Sequence, residues 1–139
     1  MHILAESEHY LSTVRGNIMS KTMLFLTWLF GLFMLGAGIN HLIKPAFYNP
    51  FIPEWLPALA VNYVVGCFEA AIGLGLLFPK FRRAAAIANF LLMVFFLPFH
   101  VADVFRTNPA IGSHLLASIR LPIQFIFIYW AWFIIPKTK

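Results

Sequence analysis

Four long apolar stretches alternate with short polar or proline-rich segments along the chain. They fall near residues 23–43, 58–78, 83–105 and 114–135. Each holds about 20 residues, enough at ~1.5 Å per residue to cross ~30 Å of hydrocarbon. In hydrocarbon every backbone N–H and C=O must be bonded within the protein, so stretches of this length predict helices rather than isolated strands. The expected architecture is all-α: a polytopic membrane protein built as a four-transmembrane-helix bundle over residues 21–139. Residues 1–20 are polar and mixed. Leu4, Leu11, Val14 and Ile18 recur there at helical spacing, which fits a short interfacial helix on the cytoplasmic side; a polar tail is the alternative. Met19-Ser-Lys-Thr-Met also reads as a natural start.

The connecting segments differ in kind. Pro45, Pro50, Pro53 and Pro57 punctuate the first, so it cannot be one regular helix. Its Phe47, Tyr48, Phe51, Ile52, Trp55 and Leu56 predict packing on the mouth of the bundle or in the membrane interface. The second, Phe78-Pro-Lys-Phe-Arg-Arg83, reads as a tight basic turn. The third, Arg106 to Gly112, is short, and Ser113 suits the N-cap of the last helix. Pro98 removes the donor for the Val94 carbonyl and predicts a kink just before His100. Gly31, Gly36 and Gly38, with Gly66, Gly73 and Gly75, predict close helix approach.

Composition agrees with this pattern. The chain is 61% hydrophobic and 11% charged, well outside the balance of a soluble domain. Its net charge of +5 does not signal nucleic acid, because the basic residues flank apolar segments instead of clustering on one face. Arg15, Lys21, Lys80, Arg82, Arg83, Lys137 and Lys139 fall on one side, and Lys44, Arg106 and Arg120 on or toward the other. The positive-inside rule then places both termini in the cytoplasm and turns the proline-rich loop outward, in a bacterial inner membrane. No cleavable signal peptide is expected, since the first apolar run is too long. The single cysteine, Cys67, excludes an internal disulfide and reads as a small buried hydrophobe. Tyr129, Trp130 and Trp132 read as an aromatic belt at the cytoplasmic interface.

Against this background Glu69 stands out. A carboxylate at membrane depth is costly, and such residues face a bundle interior or a wet cavity with a partner. Glu69 lies about 18 Å along the helix from Pro57, and Arg120 about 10 Å from Ser113. Arg120 reaching inward is the expected counter-ion. His100 and Asp103, three apart, share a face, and His41 lies near the outer end of the first helix. Asn62 and Gln124 complete the polar set. Together His41, Glu69, His100, Asp103 and Arg120 are expected to line one outward-facing cavity as a ligand-binding or charged core. A metal site would use these ligand types, but their spacing matches no metal motif. Bis-histidine haem from His41 and His100 lacks an attachment motif and room among the phenylalanines. A quinone or lipid held by its polar head needs the fewest assumptions, so haem and metal are not expected.

Four segments, in order, resemble the DoxX family of small four-helix membrane proteins: Gly38-Ile-Asn-His-Leu-Ile-Lys-Pro-Ala-Phe-Tyr48, Ile52-Pro-Glu-Trp-Leu-Pro57, Gly66-Cys-Phe-Glu-Ala-Ala-Ile-Gly-Leu-Gly-Leu-Leu-Phe-Pro79 and Arg120-Leu-Pro-Ile-Gln-Phe125. The resemblance spans residues 24–135 and implies a bundle whose polar face carries His41, Glu69 and Arg120. That family takes its name from a subunit of a thiosulfate:quinone oxidoreductase and is tied to redox or membrane-complex assembly. In the third helix this chain has Pro98-Phe-His100 where the family often shows Asn. The combined expectation is an accessory inner-membrane subunit, not an enzyme on its own. It would bind a quinone-like or lipidic ligand and support a redox partner. The rival expectation is a structural or assembly subunit of a larger membrane complex, or a homo-oligomer, without ligand chemistry.

Overall fold

The computed structural model describes residues 19–137, so the expected interfacial helix before residue 19 and the charges of Arg15 and Lys139 lie outside the described residues. Four helices account for most of what is described: α1 (Lys21–Ile43), α2 (Ala58–Leu77), α3 (Arg82–Phe105) and α4 (His114–Phe133). All four are long and apolar enough to cross a membrane, and there is no strand among the described residues. The protein is an all-helical four-helix membrane bundle. The membrane-facing belt is explicit in side chains such as Phe25, Val64, Phe95 and Ile126, which are more than half exposed in a chain where lipid replaces water.

Local chemistry sets the helix ends. The Ser20 hydroxyl accepts from the Met23 N–H at 3.1 Å and the Ser113 hydroxyl from the Leu116 N–H at 3.2 Å, each satisfying one orphan donor of a first turn. Lys44-Pro45 closes α1, and the proline-rich loop continues as two short 3₁₀ turns, Pro45–Phe47 and Asn49–Phe51. At the opposite end, Arg82 folds back over the turn. Its guanidinium donates to the carbonyls of Leu76 (3.0 Å) and Leu77 (3.2 Å), placing a cation on the negative end of the α2 dipole. Arg82 therefore caps a helix as well as marking a topology side. Gly112, at φ +100°, makes the left-handed step between α3 and α4.

Packing is tightest between α1 and α2. Gly31 and Gly38 face Gly73 and Gly66 in antiparallel register. A Cβ added at Gly38 would lie 2.5 Å from the Gly66 carbonyl oxygen, and one at Gly73 would lie 2.7 Å from the Gly31 carbonyl oxygen. Each helix repeats glycine at an interval of about two turns, so the seam stays on one face. Gly36, also a candidate for close approach, meets nothing within 4 Å among the described residues, and Cys67, expected to be buried, is exposed on the outer face of α2. The apolar core fills the half of the bundle near the termini: Phe30, Met34, Leu76, Ala86, Met93, Ala131 and Ile134 are buried there. The α1–α4 seam in this half is closed by rings, with Phe30 and Trp130 centroids 4.6 Å apart and Phe33 and Phe127 5.1 Å apart. Trp130 is thus a packing residue and does not belong to the expected belt, whereas Tyr129 and Trp132 are more than half exposed. Near the proline-rich loop the interior opens instead.

Candidate functional site

A cavity of about 450 Å³ lies between all four helices under the proline-rich loop. Its walls are apolar, with Met34, Met93, Phe96 and Phe127 among them, and its polar groups are His41, Asn62, Glu69, His100, Asp103, Arg106, Arg120 and Gln124. All five residues singled out from the sequence therefore face one space. The volume lies in the range of small-molecule pockets, and the few convergent polar groups in an apolar wall fit that type of site.

The charges pair differently from the sequence expectation. Glu69 is not paired with Arg120: its Oε2 lies 3.7 Å from His41 Nε2, while Arg120 reaches Asp103 Oδ2 at 3.8 Å. The reason is the direction in which helical side chains lean, back toward their own N-terminus. α2 and α4 both start at the loop end, so Glu69 and Arg120 lean the same way and cannot close on each other. α1 and α3 run oppositely, so His41 leans in to meet Glu69, and Asp103 leans in to meet Arg120.

On the α1–α2 side Asn62 organises the site. It is fully buried, and its amide nitrogen lies 3.2 Å from the Pro45 carbonyl, 2.9 Å from the Ala58 carbonyl and 3.0 Å from Asn49 Oδ1. Backbone carbonyls only accept, which fixes the amide orientation and turns Asn62 Oδ1 toward His41 Nδ1 at 2.9 Å. His41 Nδ1 is therefore the donor, and its Nε2 is the atom aimed at Glu69. The Tyr48 ring stacks on His41 at 3.4 Å, and the Tyr48 hydroxyl accepts from the Asn40 amide at 2.8 Å. One loop residue thus covers the imidazole.

On the α3–α4 side Asp103, 2% exposed, accepts from the Ala110 N–H at 2.6 Å and has Arg106 at 4.0 Å. Arg120 lies over the Phe51 ring, 4.3 Å from its centroid, a cation–π contact. Arg106 donates to the Pro50 carbonyl at 3.0 Å. The loop is therefore pinned on both sides of the cavity. Deeper in, Gln124 Nε2 donates to the Met93 carbonyl at 2.6 Å, beside the position where Pro98 disturbs the α3 ladder.

Three buried polar atoms of these lining residues have no hydrogen-bond partner among the described residues: Glu69 Oε2, His100 Nδ1 and Asp103 Oδ2. Buried polar groups are normally satisfied, and the cost of leaving one unsatisfied is about 1–3 kcal/mol. These atoms form a polar end that a ligand head could complete. For a metal the geometry is poor: among the described residues no three His, Cys, Asp or Glu side chains gather closely enough to hold one.

Sequence reasoning passed over Tyr48 and Phe51, which read as interface aromatics, and Arg106, which read only as a loop charge. One signal did exist: Asn49 and Tyr48 follow a helix-ending Lys-Pro, where a turn folds back on the helix it has just left. Asn89 was also passed over. It is fully buried in the packed half, and neither of its amide atoms has a partner among the described residues.

No curated protein and no solved structure matches the chain. One family model does, over residues 30–135, a span that holds all four candidate spanning helices in whole or large part and all five expected site residues. The protein belongs to the family described as a domain of unknown function, DUF8561.

Proposed function

We propose that the protein is a membrane-embedded binding subunit for a neutral, quinone-like ligand, serving a redox partner and not acting as an enzyme alone. The observation that carries this reading is the ~450 Å³ apolar-walled cavity whose polar end holds the unpartnered atoms of Glu69, His100 and Asp103. The commitment of the cations favours a neutral head over a phosphate. Both guanidiniums, Arg106 and Arg120, are already drawn to Asp103, and each is also held by the loop, Arg106 on the Pro50 carbonyl and Arg120 over the Phe51 ring. Neither is left free for an anionic lipid head. The walls suit a ring and the first part of an apolar tail.

The likeness of the His41, Glu69 and Arg120 segments to the DoxX family supports a redox association. The basic residues at the terminal end of the bundle support cytoplasmic termini in a bacterial inner membrane, with the cavity opening on the other side. Organic extraction of protein purified in mild detergent, followed by mass spectrometry, tests the reading. A quinone recovered near one per chain, and reduced by Phe96→Trp, which fills the wall, is the expected result. Phospholipid alone, equally abundant in Phe96→Trp, would refute it.

A further inference from the structure

Each carboxylate in the cavity is balanced in a different way, and the difference has a chemical consequence. Asp103 is balanced by permanent charge: two guanidiniums lie within 4.0 Å, and the Ala110 N–H donates to it. Among the described residues Glu69 has no such cation: the one basic group within ion-pair distance is His41 Nε2 at 3.7 Å, and His41 Nδ1 is already committed as donor to Asn62. The charge of this second pair is therefore set by how many protons Glu69 and His41 Nε2 hold between them. The other titratable or charged groups lining the cavity are His100 and Asp103 on α3, Arg106 just past its end, Arg120 on α4 and Tyr48 in the loop. Arg120 and Arg106 are drawn to Asp103, and the Tyr48 hydroxyl is bonded to Asn40.

We infer that His41 and Glu69 form the proton-exchanging pair of the cavity, so that a ligand carbonyl binds with uptake of a proton onto this pair. The inference rests on the ligand reading above. With one proton between them, that proton serves the His41 Nε2–Glu69 contact, and turning it to the ligand would leave two lone-pair-bearing atoms facing each other at 3.7 Å with nothing to compensate them. A quinone carbonyl only accepts, so seating it here selects the state in which the pair holds a second proton. The corresponding hydroquinone brings its own O–H, which Glu69 accepts, and needs no such uptake. The linkage is thermodynamic and moves no electrons: whichever state the ligand prefers is populated at the expense of solvent protons. In this arrangement Asn62 and Tyr48 are positioning residues for the imidazole.

The test uses the full chain in lipid nanodiscs, with decyl-benzoquinone and its anaerobically reduced hydroquinone as probes. Calorimetry in two buffers of different ionisation enthalpy counts the protons exchanged. The expected result is uptake approaching one proton for the quinone and none for the hydroquinone. Glu69→Gln should abolish the uptake while the quinone still binds within about tenfold, and His100→Gln, whatever it does to affinity, should leave the number of protons taken up per bound quinone unchanged. Quinone binding with no proton uptake, or uptake that survives Glu69→Gln and disappears in His100→Gln, overturns the inference and leaves the ligand reading standing. Failure of both probes to bind the unaltered protein overturns the two together. Should Glu69→Gln fail to fold, infrared difference spectra of the unaltered protein decide: a protonated-carboxyl band that grows as quinone is added supports the pair, and an unchanged carboxyl region overturns it.

Discussion

The two helical hairpins of this bundle hold their charges by different means. In the α1–α2 hairpin backbone meets backbone: glycines at 38, 66 and 73 bring the helices so close that a single Cβ there would collide with the facing main chain, and one at Gly31 would lie 3.1 Å from the Gly73 carbonyl oxygen. The charged pair there, His41–Glu69, is long and under-bonded. In the α3–α4 hairpin no comparable glycine seam exists, and the interaction between the helices includes a carboxylate between two arginines and the Gln124–Met93 hydrogen bond. Rigid apolar packing on one side leaves its polar groups free to respond to a ligand. On the other side the polar groups carry structure. A charge at membrane depth is thus informative only together with what already satisfies it.

The comparison breaks most sharply at the glycine seam. Overpacking a core costs roughly 1–3 kcal/mol, occasionally more. At Gly38 the obstacles are the Ala70 nitrogen and the Gly66 carbonyl oxygen, both at 2.5 Å, and main chain cannot turn aside as a side chain can. Gly38→Leu should exceed that range and leave little folded protein, as read by size-exclusion profile and denaturation in mixed micelles. Gly36→Leu, with nothing within 4 Å, should be close to neutral in the same assays. Equal damage from both would mean that side-chain bulk anywhere on α1, not close approach to α2, is what these glycines avoid, since helix propensity alone favours leucine.

Next in size is Asp103. Removing one partner of a buried ion pair costs roughly 3–5 kcal/mol, because the other charge is left without compensation. Asp103→Leu should fall toward the low end of that range, since the Arg120 side chain is 28% exposed and can turn toward the mouth. Asp103→Leu combined with Arg120→Leu should recover much of the loss. Glu69→Gln alone should cost far less, because it removes no permanent ion pair. A double-mutant cycle in denaturation midpoint measures all three, and strong coupling between Glu69 and Arg120 would contradict the pairing seen here.

That pairing also shows how far the residues could be read without coordinates. Segment length and hydropathy predicted helices near 23–43, 58–78, 83–105 and 114–135, and the helices run Lys21–Ile43, Ala58–Leu77, Arg82–Phe105 and His114–Phe133. Hydrocarbon permits little else. The five site residues were legible one at a time, since each is a polar group in or beside an apolar run. Their partners were not, because depth counted along a helix axis ignores the lean of the side chain toward its own N-terminus. With that rule, Glu69 and Arg120 on parallel helices separate, and His41 and Asp103 become the natural counterparts. Phe51 and Arg106 were illegible, and Tyr48 legible only as part of a turn, for another reason: the path of the loop is set by contacts with Asn40, His41, Asn62 and Arg120, far apart in sequence.

Asn62 should have a moderate effect and a revealing one. Asn62→Leu removes the donor to Pro45, Ala58 and Asn49 and the acceptor for His41. The lost bonds and the stranded acceptors suggest a cost of about 1–3 kcal/mol. The loop should become more open to proteolysis around residues 45–53, while the α3–α4 side keeps its stability. Unchanged cleavage rates in the variant would show that Arg106 and Phe51 alone hold the loop.

The smallest effect belongs to Gln124, and it tests whether the α3–α4 hairpin depends on its deep polar contact or only on its arginines. The Gln124 amide donates to the Met93 carbonyl at 2.6 Å, one residue before the carbonyl whose normal donor Pro98 removes. Polar contacts between helices in a membrane average about 0.6 kcal/mol, because the separated helices also find partners. Gln124→Leu should therefore cost about that much. The loss should grow little if Asp103 is intact, since the ion pair nearer the mouth continues to hold the two helices together. In an Asp103→Asn background the same change should cost clearly more, as the remaining interhelical bond then bears the separation. Strict additivity of the two changes would instead mean that the hairpin is held by its short connection through Gly112, with the polar contacts serving the cavity alone.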